Sequence, residues 1–172
     1  MTYRLIALDI DGTIRNNNCG ISGRTKRAIS LALKAGEFVT VATGRMLRSA
    51  IASPTELQLT SPIVSFQGAV ISNPVSGEVL WNRPLTEDLT LSALEALSDW
   101  EGVILASVGN YAYVNMGNKW VDGYRDRNNG RVRIVENLVS IAHYNPTRLV
   151  AVGETVPIFD LEKRLNIEFL NS

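Results

Sequence analysis

The stretch RLIALDIDGTIRNN, residues 4–17, decides how this chain reads: a short apolar run without alternation ends in two aspartates, Asp9 and Asp11, followed by Gly12. Such a run suits a strand covered on both faces within a parallel sheet. Asp9 falls at its C-terminal end. In extended backbone, residues two apart point the same way about 7 Å from each other, so both carboxylates address one centre. The pair invites a divalent cation, and magnesium, which keeps water and substrate phosphate among its ligands, suits an open site of this kind. A calcium loop counted from Asp9 would need glycine and glutamate where Ile14 and Gly20 stand. An ordinary Asp-x-Asp-Gly turn is the plain alternative.

Outward from this stretch the expected order is strand, helix, strand, helix, strand. Ser22 is placed to cap a helix carrying Ile29, Ala32 and Leu33 on one face, with Gly36 marking its end. FVTVAT, 38–43, reads as a second buried strand. Leu47, Ala50 and Ile51 start another helix, restarted by Ser53 as N-cap, Pro54 at the first helical position and Glu56 closing a capping box. PIVSF, 62–66, is the third strand. Right-handed crossovers make the three strands parallel, with their C-terminal ends on the edge where ligands bind. Thr43, Gly44 and Arg45 then reach that edge: a hydroxyl, an N–H bared by glycine and a guanidinium, all donors to a phosphoryl group. The same three residues also suit a strand-to-helix turn capped by Thr43.

Past Gly68 the pattern changes. AVISN and EVLWN, joined by PVSG, read as a hairpin. Thr86 is placed to cap a helix with Leu89, Ala93, Leu97 and Trp100 on one side; four strand-like runs (VILASV, YAYVNM, RVRIV, RLVAVG) and a helix with Ile158, Leu161 and Leu165 follow. The expected fold is α/β: a partial Rossmann-like parallel-sheet core over 1–82, then an α+β unit over 83–172. KWVDGYRDRNNGRVR, 119–133, reads as a solvated charged face, and Trp81, Trp100 and Trp120 as packing groups.

Among 172 residues, 17 lysines and arginines balance 17 aspartates and glutamates, so charge argues for neither a nucleic-acid nor a membrane partner. The single cysteine, Cys19, cannot staple the fold, and no apolar run is long enough to cross a bilayer. A reducing cytoplasm fits. Cys19 and the lone His143 carry no assignment.

DIDGT, 9–13, resembles the first motif of the haloacid-dehalogenase-like hydrolases, and VATGR, 41–45, the second. An insertion after the third strand, with SFQGAVISN before it and GEVL following, resembles the type-2 cap of the Cof-type sugar phosphatases. The resemblance implies that Asp9 is the nucleophile forming an aspartyl-phosphate and that Asp11 is the acid/base. It also implies Mg2+ on Asp9 and Asp11, the latter through its main-chain carbonyl. Thr43, Gly44 and Arg45 would bind phosphate, with Gln67 and Gly68 standing where many relatives place Asn-Gly near the substrate. The substrate class would be a small-molecule phosphate ester such as a sugar phosphate.

The family's third motif, with its lysine, and its acidic fourth motif are missing from these residues. Two readings follow: a magnesium-dependent phosphatase of which this chain is a fragment, which is the stronger, or a catalytically incomplete phosphate- or metal-binding module that needs a partner. On either, the first strand becomes a sheet edge, open to further chain or to a second copy of this one.

Overall fold

The first unit of the computed structural model, Met1–Arg83, grows from a strand that pairs on one side. The structure describes residues 4–16, 20–127 and 131–169; Cys19 lies outside them. The unit comprises β1 (Leu5–Leu8), a short hairpin of β2 (Arg15–Asn16) and β3 (Gly20–Ile21), α1 (Gly23–Lys34), β4 (Phe38–Val41), α2 (Leu47–Ala50), α3 (Ala52–Glu56), β5 (Ile63–Ser65), a 3-10 turn (Phe66–Gly68), β6 (Val70–Ser72) and β7 (Val79–Asn82).

Ser22 starts α1 by accepting the Thr25 N–H at 3.1 Å, and Gly36, at φ 85°, turns the chain into β4. β1 and β4 run parallel, Leu5 opposite Phe38 and Leu8 opposite Val41. A parallel bridge from Ala42 to Val64 continues the sheet to β5, and β5, β6 and β7 are antiparallel. The hairpin turn forms because the Asn73 side-chain oxygen accepts the N–H groups of Val75 and Ser76, at 2.8 and 3.1 Å. Val39, Val41 and Ile63 are the buried heart of this unit.

Two expectations are corrected here. β1 is not covered on both faces: Leu5 is 61% exposed, Ala7 is exposed, and Ile6 and Leu8 are half-buried. Its apolar sequence reports a capacity for burial, while its neighbour in the sheet among the described residues is β4 alone. Nor does Ser53 cap a helix. Ile51, between α2 and α3, is itself helical at φ −58° and ψ −29°, so the backbone never leaves the helical region where a cap would sit. Ser53 lies inside α3, fully buried, its Oγ without a hydrogen-bond partner, and Glu56 reaches Lys26 at 2.8 Å and Arg15 at 2.6 Å.

The second unit, Pro84–Ser172, contains α4 (Glu87–Ala96), β8 (Val103–Val108), β9 (Tyr111–Val114), α5 (Lys119–Arg127), β10 (Val132–Ile134), a 3-10 segment (Leu138–Tyr144), β11 (Arg148–Val152) and α6 (Thr155–Phe169). Its sheet runs β10-β9-β8-β11, antiparallel except for the parallel β9–β10 pair. Thr86 caps α4 through the Leu89 N–H at 3.2 Å. The face that α4 buries is Thr90 and Leu94, continued by Leu97, whereas Leu89 is 43% exposed. Of the expected face, Leu97 and Trp100 do pack into the core, Ala93 is half-buried, and Leu89 is replaced by Thr90 and Leu94. Leu94 and Leu97 pack with Ile104, Ala106, Leu138, Ile141 and Leu161, joined by Trp100, Ile158 and Leu165.

On the other sheet face, Val103, Leu105, Ala112, Val114 and Val132 meet Val121 of α5. The stretch 119–133 is therefore not simply a solvated face. Its first part folds as α5, capped by the Asn118 side chain, with Val121 fully buried and Trp120 stacked on Tyr124 at 5.1 Å. Among the described residues no helix is long and apolar enough to cross a membrane.

Candidate active site

β1 delivers Asp9 to the end of the parallel sheet. Ile10 beyond it is fully buried while Asp9 and Asp11 are exposed, so the two acids share the outer side. The backbone does not stay extended. Gly12, at φ 75°, folds it into a tight loop closed by Ile14 N–H to the Asp9 carbonyl (3.3 Å), Arg15 N–H to the Ile10 carbonyl (2.9 Å) and Gly12 N–H to the Arg15 carbonyl (3.1 Å). The Asp9 Oδ1 accepts the Ile10 N–H at 2.8 Å, which fixes the carboxylate against its own backbone.

β4 delivers the donors. Thr43 is buried; its N–H donates to the Val64 carbonyl at 3.0 Å and its Oγ1 accepts the Arg45 N–H at 3.2 Å, so Thr43 organises the turn that presents Gly44 and Arg45. The Arg45 guanidinium forms a two-pronged pair with Asp11, Nε to Oδ2 at 2.8 Å and Nη2 to Oδ1 at 2.5 Å, and Nη1 reaches the Ser49 carbonyl at 3.4 Å. The hydrogen bond from Arg45, helped by its charge and that of Arg15, holds the Asp11 carboxyl below its ordinary value. Arg45 is raised in turn, chiefly by that same bond, with the Asp9 charge adding to it.

The third strand closes the cluster. Phe66 N–H donates to the Arg45 carbonyl at 2.9 Å and Gln67 N–H to the Thr43 carbonyl at 3.1 Å. Phe66, Gln67 and Gly68 are successive left-handed residues, at φ 51°, 56° and 104°, a strained run for two side-chain-bearing residues. It lays the Gln67 side chain over Gly44, where an added Cβ would come 3.1 Å from the Gln67 Cγ. The structure thus brings Asp11, Thr43, Gly44, Arg45 and Gln67 together, with Asp9 in electrostatic reach of Arg45. Gly68 stands apart, with open space where a Cβ would be.

The sequence reading missed Arg15 and Glu56. Their bond joins residues 41 positions apart and fixes the arginine that follows the acid loop, a contact without local signature.

Because the folded Asp11 is depressed below the unfolded value near 3.8, its stabilising effect is complete above that pH and is lost as acid takes the carboxyl down through the folded value. Acid titration of the wild-type chain is expected to destabilise the first unit below pH 3.8 more steeply than in Arg45→Gln. Equal acid sensitivity in circular-dichroism unfolding curves would show that the pair does not form in solution. The pair is too exposed for a large effect.

Magnesium prefers hard oxygen ligands, and the Asp9 carboxylate and Asp11 main-chain carbonyl are of that kind at an accessible sheet edge. The Asp11 carboxylate itself is turned to Arg45. No group of three His, Cys, Asp or Glu side chains gathers into a metal centre among the described residues.

Residues 6–170 match the sequence profile of the haloacid dehalogenase-like hydrolases. Over 95 residues the chain is 37% identical to the 5-amino-6-(5-phospho-D-ribitylamino)uracil phosphatase YitU of Bacillus subtilis, which covers 55% of this chain and 34% of that protein. In three dimensions it resembles TM0651 of Thermotoga maritima, with a TM-score of 0.78 at 24% identity over 98% of this chain and 63% of that one. It also resembles the subclass IIB sugar phosphatase BT4131, with a TM-score of 0.77 at 18% identity over 96% and 63%. The chain spans about a third of the length of such curated relatives.

Proposed function

The chain belongs to the haloacid dehalogenase-like hydrolases, and from that premise we propose that it carries the nucleophile of a magnesium-dependent phosphatase acting on small phosphorylated metabolites such as sugar phosphates. The first unit would be part of the catalytic core and the second its type-2 cap. The observation that carries this is Asp9: a backbone-oriented carboxylate at the open end of a parallel sheet, beside a turn that brings the Arg45 guanidinium into its electrostatic reach. The names of YitU and BT4131 support the reaction class. The neutral charge balance and single cysteine favour a cytoplasmic protein without a nucleic-acid partner.

An Asp9 oxygen attacks phosphorus, the bond to the leaving oxygen breaks, and that oxygen takes a proton from Asp11. Water then attacks the aspartyl-phosphate and passes a proton back to Asp11, which regenerates Asp9 and releases phosphate. Attack of one anion on another is slowed by repulsion, and Arg45 with the Gly44 N–H offsets it. A bound Mg2+, held by the Asp9 carboxylate and the Asp11 carbonyl, supplies further neutralisation. Asp11 bonded to Arg45 is a poor acid because its proton is disfavoured. An arriving phosphate dianion competes for the guanidinium, and Asp11, relieved of that bond, becomes easier to protonate.

A second reading, a catalytically incomplete phosphate- or metal-binding module, is favoured by the engaged Asp11 carboxylate and the sparse acidic set. Phosphate release from an aryl phosphate separates the two. The gene product that contains residues 1–172 is expected to turn over with magnesium and not without it, and residues 1–172 alone to turn over little. Phosphate binding by that gene product without turnover decides for the second reading.

A further inference from the structure

On the outer strand of the second unit's sheet, two arginines crowd one tyrosine. The Arg131 Cζ lies 5.4 Å and the Arg133 Cζ 4.5 Å from the centroid of the Tyr111 ring. Register explains why. Val132 pairs with Ala112, so Arg131 precedes that pair opposite Tyr111, to which the Ala112 N–H bond to the Arg131 carbonyl (3.0 Å) ties it. Arg133, two residues on, shares its sheet face and reaches the same ring on the diagonal.

Val132 between them points into the apolar layer beneath α5, which leaves both guanidiniums on the opposite side. Sharing one ring, they lie within about 10 Å of each other, close enough for one tetrahedral oxyanion to receive donors from both when their forks turn to it.

Among the described residues no carboxylate forms an ion pair with Arg131 or Arg133, and the acids nearest in sequence on either side, Asp126 and Glu136, pair with neither. Residues 128–130, which precede Arg131, are Asn, Asn and Gly, without charge. Two like charges on one ring, without an ion pair among the described residues, repel each other, which a bound dianion would relieve. The Tyr111 hydroxyl, which makes no hydrogen bond among the described residues, is a further donor at the same place.

We propose that Arg131, Arg133 and Tyr111 form a binding site for the phosphate group of a small molecule, an inference independent of the phosphatase reading. A tetrahedral dianion offers acceptors to two guanidinium forks at once, which a carboxylate with two oxygens does less well. The site lies wholly within the second unit.

The test is a titration of the isotope-labelled wild-type chain with inorganic phosphate, without magnesium, against chloride at equal ionic strength. NMR follows the side-chain Nε–H signals of Arg131 and Arg133. Both are expected to move along one saturable curve in phosphate and to drift weakly in chloride. In Arg133→Gln the Arg131 midpoint is expected to rise on the order of tenfold. Arg133 is exposed at the sheet edge, and unchanged amide signals for Leu105 and Val114 check that the variant is folded. Arg45→Gln is expected to leave the curve where it was.

Identical drift in phosphate and chloride, or an Arg131 curve unmoved in folded Arg133→Gln, overturns the site. Saturable shifts confined to Thr43, Gly44 and Arg45 overturn it as well while leaving the phosphatase reading intact. Shifts at Arg131 and Arg133 without any at the Asp9 edge support it, and the phosphatase reading is then decided by the turnover assay.

Discussion

Asp9→Asn in the gene product that contains this chain is expected to lower phosphate release by on the order of 10^4-fold or more, the scale for removal of the group proposed to define the reaction path. That is about 5.5 kcal/mol of barrier. The change is nearly isosteric. Asn keeps an oxygen to accept the Ile10 N–H, so the loop closed by Gly12 and Arg15 is retained and the fold is expected to be unaffected. What is lost is the anionic oxygen that would bond to phosphorus. A variant within tenfold of wild type would remove Asp9 from the role of nucleophile and direct attention to a water-activating path. Unfolding midpoints within error of each other are the control that assigns the loss to chemistry.

Gly102→Ala is expected to destabilise the second unit by about 2 to 3 kcal/mol, through overpacking against groups that have no room to move. Gly102 and Gly153 lie at matching ends of β8 and β11, next to the Val103–Val152 pair. A Cβ on Gly102 would fall well inside contact distance of the Val152 carbonyl oxygen and the Trp100 indole, and one on Gly153 would run into the same indole. Trp100 packs against the core formed by Leu94, Leu97 and Ile104, so it cannot yield without disturbing that layer. Its Nε1 is already buried without a hydrogen-bond partner.

Gly23→Ala is the control. Gly23 sits in the first turn of α1 with open space around the added methyl, and alanine there is expected to be neutral or mildly stabilising. Denaturant unfolding of the three proteins decides it. A Gly102→Ala midpoint equal to wild type would show that the Trp100 packing is loose.

Much of the first unit was legible because its signals are local. The Ser22 cap, the Gly36 stop and the Asn73 turn each depend on residues a few positions apart, and the sequence reading placed the first two and the hairpin. Ser53 misled because a cap needs a break in the helix before it, and Ile51 keeps helical angles that no residue type announces. β1 misled because burial belongs to neighbours: the apolar run states what the strand tolerates, and the sheet order states what it receives.

At the candidate site, the motifs located the residues but not their pairing. Asp11 and Arg45 are 34 positions apart, and their residue types suit facing a ligand as well as facing each other. Only the register of β1 against β4, which sets how far each loop projects, brings the guanidinium fork onto the carboxylate. On α4, Leu97 and Trp100 were placed on the buried side, but Leu89 was chosen over Leu94 for a similar reason, since the two are equally apolar and only the packing of Leu138 and Ile141 chooses between them.

The bond between Asp11 and Arg45 also bears on how long product stays. Inorganic phosphate held by Arg45 would sit where an internal carboxylate waits to return, two-pronged and tethered, so on the proposed function the chain would carry its own displacer of product. Part of the binding energy for any phosphate goes into opening that pair, which weakens product and substrate alike in the ground state. For a phosphatase working among abundant free phosphate, that is a route to low product inhibition and a short dwell after the chemistry.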